Sequence, residues 1–250
     1  MRKQRPMTAD DYLRVAVNSR APTVAGSIAQ RGLGASDGPI DPDAQLLLLR
    51  EIYRAHLYAH RVRSAHAVAR KMVRLGVMQE LAWADLGRAC AALGWWASAA
   101  RAHRLAARNA PASRRALHWA QAGSALHHGA FFNEAVSAFD RAVRWSLTMK
   151  PLHRGQRLLS RIDRGDELGD ADELNDILDD LGASRSGEGY GRYIRGLLHF
   201  ARGDHEDAAE NLRVFLKRNA QEPMRSVTLA AEIVRARETL RALRVARRVG

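Results

Sequence analysis

Along most of this chain, apolar residues recur at three- and four-residue steps, the spacing that lays them down one side of an α-helix. The stripes also repeat in register. One unit, starting near Glu80, carries Trp83, Leu86, Gly87 and Cys90, a turn glycine at Gly94, then Ala99, His103, Ala106 and Pro111. A second begins 36 residues later with Trp119, Ala122, Gly123, Leu126, Ala135, Phe139 and Ala142. A third has Gly196, Gly203, Ala208, Leu212 and Phe215 at the same offsets, with Arg192 in the aromatic slot and Ala220 in the proline slot. Ile52, Ala65, Ala69 and Met72 form a weaker copy 34 residues before the first unit. The 73 residues separating the second and third units leave room for one more, with a short insertion. Small residues at Gly87 and Ala99, and at Gly123 and Ala135, predict antiparallel helices in close approach. Large residues then fill the space between neighbouring hairpins, and each hairpin is stable only when stacked. By this pattern Trp83, Trp119, Phe139 and Phe215 are core residues.

The W-x2-L-G-x2-C stretch, the turn glycine, A-x3-H-x2-A and the closing proline together resemble the tetratricopeptide repeat family. His103 stands where that family usually has Phe, and Cys90 where it often has Tyr. The resemblance implies an all-α fold: an α-solenoid of stacked antiparallel helix hairpins in a right-handed superhelix, with a C-terminal capping helix. Residues 1–42 read as an N-terminal extension of short helices and loop. The repeat domain spans 43–222, with clear units near 80–113, 116–149 and 189–222 and degenerate ones near 46–79 and 150–188. Residues 223–250 read as a basic amphipathic cap. Within the extension, Thr8 and Asp11 form a candidate capping pair, Pro22 to Gln30 a short helix, and Gly32 to Pro39 a loop. Pro223 opens a long predicted helix with an apolar stripe of Leu229, Ile233, Ala236, Leu240 and Leu243. Its basic face holds Arg237, Arg241, Arg244 and Arg248. The stripe predicts a cover for the last hairpin, and it would also suit a short coiled coil between two copies of the chain.

Charge complicates this picture without deciding it. The chain carries +13, yet Asp163 to Asp180 holds nine carboxylates (Asp163, Asp166, Glu167, Asp170, Asp172, Glu173, Asp176, Asp179, Asp180) against Arg164 alone. That stretch is therefore −8 and the remainder +21. A lone cysteine, Cys90, in an alanine-rich helical run points to a small buried side chain and a reducing compartment. No apolar run of signal-peptide length follows the basic first residues, and the longest uncharged apolar run, Ala89 to Ala97, is far below the roughly twenty residues of a membrane span. The expectation is a cytoplasmic protein.

Candidate chemistry is sparse. The glycines are dispersed, with no phosphate-cradling loop. His56 with His60, and His127 with His128, are pairs without further metal-ligand spacing. The carboxylate run lacks the calcium-loop order, and no nucleophile–base pattern emerges. We therefore expect no enzyme activity, no metal and no cofactor.

In the resembled family, the first helices of successive hairpins line a concave groove that receives a peptide or helix. The groove slots here are Leu81, Ala84 and Arg88, then Leu117, Ser124, His127 and His128, then Tyr190, Tyr193, Leu197 and Phe200. Ala84 and Ala120 stand where chaperone-tail clamps of the family need lysine, so that specialisation is not expected. The expected function is a protein-interaction scaffold or adaptor binding another protein's peptide or helix, with an acidic partner favoured by the basic ends. The alternative is a nucleic-acid-associated helical repeat using its C-terminal arginine face.

Overall fold

The computed structural model describes residues 7–35, 38–166 and 171–249, with side chains described for all of these except 171 and 246–249. Among the described residues there are fourteen α-helices, one 3-10 turn and no strand. They run as hairpins: α1 (Ala9–Val17) with α2 (Pro22–Gly34), α3 (Pro42–Tyr58) with α4 (Val62–Arg74), α5 (Gln79–Ala92) with α6 (Trp96–Asn109). The next three are α7 (Ala112–His128) with α8 (Phe132–Trp145), α9 (Lys150–Arg164) with α10 (Ala171–Ala183), and α11 (Gly191–Arg202) with α12 (His205–Asn219). From α1 to α12 each helix packs mainly on its neighbours in the chain, so this part is an all-α solenoid of stacked hairpins.

One spacing explains why the hairpins close so tightly. A Cβ added to Gly87 would lie 2.6 Å from the His103 ring, one on Gly123 2.7 Å from Phe139, and one on Gly196 2.7 Å from Leu212. Each partner is sixteen residues further along, on the second helix of the same hairpin. Only glycine admits a ring or a leucine there, so the W-x2-L-G spacing marks the crossing point of the two helices. The connecting turns share a left-handed residue: Gly94 at φ 74° and Gly203 at φ 93°, but Ala130 at φ 61° and His60 at φ 58°. The weaker copy obeys the same burial pattern, with Ile52, Ala65, Ala69 and Met72 all in the core. Phe139 and Phe215 are buried, while Trp83 and Trp119 are half-buried.

The first helices of the hairpins are tied to one another by polar links. Asp85, buried on α5, accepts from Arg50 Nε at 2.9 Å and pairs with Arg88, and its carbonyl accepts from Tyr53 Oη at 3.0 Å. Glu80 holds His118 at 2.8 Å and Arg114 at 2.7 Å on α7. Gln156 Nε2 donates to Ser124 Oγ at 3.1 Å, joining α9 to α7. Such directional pairs fix the register that apolar packing alone leaves loose.

Both ends depart from the expectation. At the N-terminus, Thr8 and Asp11 do form a reciprocal capping box, and α2 runs on to Gly34. There, α2 packs closely on α3, a Cβ on Gly26 falling 2.4 Å from that of Ala55, so α1 and α2 extend the stack. At the C-terminus, the segment that reads as one long helix is two, α13 (Pro223–Thr228) and α14 (Ala230–Val249), broken at Leu229. The break lets the tail serve two cores. Val227 of α13 sits in the N-terminal core against α3 and α5, whereas Ile233 and Ala236 of α14 pack with α11 and α12. Leu243 joins Ala208 and Ala209 of α12. The tail therefore covers the last hairpin, as expected, and also spans the mouth of the solenoid; the stripe that would have suited a coiled coil with a second copy is covered within the chain.

Candidate partner-binding groove

The odd-numbered helices from α5 to α11 face the concave side, and α13–α14 crosses it. Enclosed between them is a cavity of about 1140 Å³. Arg88, Leu117, Ser124, His128 and Tyr190, all expected groove residues, line it. So do residues that periodicity did not single out: Trp96, the connection from Trp145 to Met149, and Val234 of α14. Leu117 is 52% exposed, Leu147 88% and Val234 51%, an apolar surface left open to solvent.

Other expected groove residues lie elsewhere. Tyr193 and Leu197 are each only 2% exposed, because α12 and α14 close over α11; the Tyr193 ring lies 5.1 Å from that of Phe215. Phe200 is exposed at the far end of α11, stacked on His205, and takes no part in the cavity wall. Leu81 packs at the edge of the N-terminal core, and Ala84 is buried.

The C-terminal half of the groove is occupied by α14 through a network of charges. Arg235 donates to Asp163 at 2.5 and 2.9 Å and to His127 Nε2 at 2.8 Å. His127 Nδ1 lies 2.9 Å from Ser160 Oγ, which itself donates to the Gln156 carbonyl. His127 Nε2 also lies 3.1 Å from Asp163 Oδ2. Burial holds the His127 pKa below the ordinary value, against the pull of Asp163. For Asp163, burial raises the pKa, but the neighbouring His127 and Arg235 outweigh it and leave the carboxyl at about 2. Next along α14, buried Glu232 accepts from His128 Nε2 at 3.2 Å and from Tyr190 Oη at 3.3 Å. Burial, with the Glu232 charge beside it, drives the Tyr190 phenol well up. His127, His128 and Tyr190 thus bind the chain's own tail.

Of the remaining candidates, Arg237, Arg241 and Arg244 are exposed on α14, and Arg248 lies outside the residues whose side chains are described. Glu167 and Asp170 of the acidic run also lie outside the described residues. Its other members mostly pair with arginine: Glu173 takes Arg157 at 3.0 Å and Arg161 at 2.8 Å, and Asp180 takes Arg154 at 2.7 Å. Cys90 is buried and free, its thiol pushed up to about 11 by burial. His199, Asp204 and Asp207 gather at the α11–α12 turn, where Arg202 already pairs with Asp204. No described helix is long and apolar enough to cross a membrane.

The fold defines a class: an all-α helical-repeat solenoid of stacked hairpins with a tail-crossed groove. It is similar to the solved structure of MamA 41-end from Desulfovibrio magneticus RS-1, with a TM-score of 0.57 over 68% of this chain and 93% of that one, at 15% identity. No family model and no curated protein matches the chain.

Proposed function

We propose that the chain is a non-enzymatic scaffold that holds an apolar peptide or helix of a partner protein in the open part of its groove. One observation carries this: the cavity of about 1140 Å³ is walled by Leu117, Trp96, Leu147 and Val234, while its arginines, Arg88 and Arg235, are already paired within the chain. Open apolar surface beside paired cations suits burial of a few anchor side chains. Helices with anchors at three- and four-residue steps fit such a groove. An acidic partner gains from Arg237 and Arg241, exposed on α14, and a cytoplasmic adaptor is the matching role.

Random peptides displayed on phage, panned on the full chain, supply ligands whose affinity is then measured by calorimetry. Micromolar binding is expected, with little change between about 50 and 200 mM salt. Leu117→Glu and Val234→Glu should each weaken it at least tenfold, and Trp95→Ala, outside the groove, should leave it unchanged. Selected peptides that bind both groove variants as well as the native chain would refute the proposal.

A further inference from the structure

The outer side of the solenoid carries charge of a different kind. Arg74, Arg108 and Arg144 occupy one slot in three successive hairpins, the last turn of α4, α6 and α8. Arg70 and Arg104 fill the slot four residues earlier, about 6 Å back along each helix. Arg63, Lys71, Arg101 and Arg141 stand exposed on the same three helices. Against these nine cations the helices hold two carboxylates, Glu134 and Asp140, and Asp140 is taken by Arg157 of α9 at 3.1 Å. None of the nine makes an ion pair among the described residues. The contrast with α9 is instructive: there Arg154, Arg157, Arg161 and Arg164 all meet carboxylates. Like charges ranked in rows without counter-charges repel one another, and a dense external anion relieves that repulsion.

We propose that this convex face of α4, α6 and α8 binds the phosphate backbone of double-stranded DNA. Around the cations, the exposed side chains of the three helices are short: Ser64 and Ala67 on α4, Ala97 and Ser98 on α6, and Asn133 and Ser137 on α8. The longer arginines dominate these few polar groups, so the surface reads charge and shape first. No aromatic side chain occupies the rows to stack an unpaired base, which disfavours a single strand. Nor is a large apolar residue exposed between them to enter a lipid layer. The face also has an end: α10 presents Asp172, Asp176, Asp179 and Asp180 outward, and that reversal of sign confines a duplex to three hairpins. The three arginines of α14 form a smaller cationic surface elsewhere on the molecule, and the test distinguishes the two.

Fluorescence anisotropy of a labelled 30-base-pair duplex, titrated with the full chain at several salt concentrations, reads both affinity and the number of phosphate contacts. With about six contacts the affinity should fall roughly a thousandfold between about 50 and 200 mM salt. The triple variant Arg74→Glu, Arg108→Glu, Arg144→Glu should lose at least a hundredfold at about 100 mM and flatten the log–log salt slope by about 3. Arg237→Glu, Arg241→Glu, Arg244→Glu removes the same charge from α14 and should change affinity less than threefold. Helicity by circular dichroism accompanies each variant, and the corresponding glutamine triple decides the matter if the glutamate triple unfolds. Equal losses in the two triples would show attraction by net charge alone and overturn the proposal. So would no binding at 50 mM salt, or tighter binding to single-stranded DNA, an RNA duplex, or vesicles of phosphatidylcholine with 30% phosphatidylserine.

Discussion

Replacing His103 with phenylalanine tests the repeat logic at the position where this chain departs from it. His103 is 3% exposed, its Nδ1 has no hydrogen-bond partner within the chain, and its ring lies over Gly87 as Phe139 lies over Gly123. Burial, then the charges of Arg88 and His118, push its pKa down from an ordinary 6.5 to about 3. A lowered histidine pKa means that the unfolded chain binds the proton more readily. The neutral ring is therefore fully compatible with the fold above pH 6.5, and stability is lost as pH falls from there toward 3. At about pH 4.5 the loss from this one residue is about 2–3 kcal/mol relative to pH 7. His103→Phe removes an unsatisfied buried nitrogen, a gain of about 1–3 kcal/mol at pH 7 that overpacking by the larger ring partly offsets. Urea unfolding at the two pH values isolates the protonation effect, since every other titrating group is common to both proteins. The variant's advantage should widen by about 2–3 kcal/mol on going to pH 4.5, or by about 5–10 °C in Tm. An advantage that stays constant within about 0.5 kcal/mol would mean His103 is not held neutral by its burial.

Ala130 occupies the left-handed turn position that glycine fills at Gly94 and Gly203, so Ala130→Gly should stabilise the chain by about 0.5–1 kcal/mol in urea unfolding. Gly123→Ala drives a methyl into the Phe139 ring and should cost about 1–3 kcal/mol by the same measurement. The Asp163 carboxyl, held at about 2, contributes stability that is complete above about pH 4 and lost as pH falls toward 2. Asp163→Asn should therefore flatten the acid limb of a stability profile below pH 4. Arg235→Ala frees α14 from Asp163 and His127, so hydrogen exchange should quicken in α14 but not in α5 to α8, and affinity for groove-selected peptides should fall.

The legible parts of this fold are those in which a steric demand falls on one residue type. Gly87, Gly123 and Gly196 must be glycine because a side chain crosses them, and Ala99, Ala135 and Ala208 must be small, so the hairpins are written as a spacing. The α1–α2 pair lacks the turn glycine, and its close contacts, Gly32 on Tyr12 within the pair and Gly26 on Ala55 of the next hairpin, do not fall at the sixteen-residue offset of the other units. Nothing in a repeat template announces them. The path of the tail is illegible for another reason. Ile233, Ala236 and Leu243 state that α14 has a side to cover, but not which surface covers it. The choice is made by Glu232 and Arg235 meeting His128, Tyr190, His127 and Asp163, pairs separated by 42 to 108 positions. Tyr193 and Leu197 fell out of the groove through that same choice. The connection around Leu147, lying between two stripes, reads as a mere linker although it walls the cavity.

How the tail sits determines what kind of partner the groove can accept. A helix that filled the whole concave face would compete with any ligand, and a partner's apparent affinity would fall by the fraction of molecules with the tail released. Here α14 covers only the C-terminal half, from the ends of α7 and α9 to α11; its Glu232 and Arg235 face inward to their partners, and its Val234 is left at the cavity edge. The docked tail is thus a wall of the site and not its occupant, and a partner loses nothing by leaving it in place. The arginines that could steer a ligand there are already engaged: Arg88 pairs with Asp85 of its own helix, and Arg235 holds α14 to Asp163 of α9. Recognition in the groove must then come from shape and apolar contact, which salt scarcely alters. The outer face of α4, α6 and α8 keeps its cations unpaired and must act through charge, which salt abolishes. Because the two surfaces lie on opposite sides of the same hairpins, occupation of one leaves the other open, and their opposite responses to salt allow each to be measured in the presence of the other.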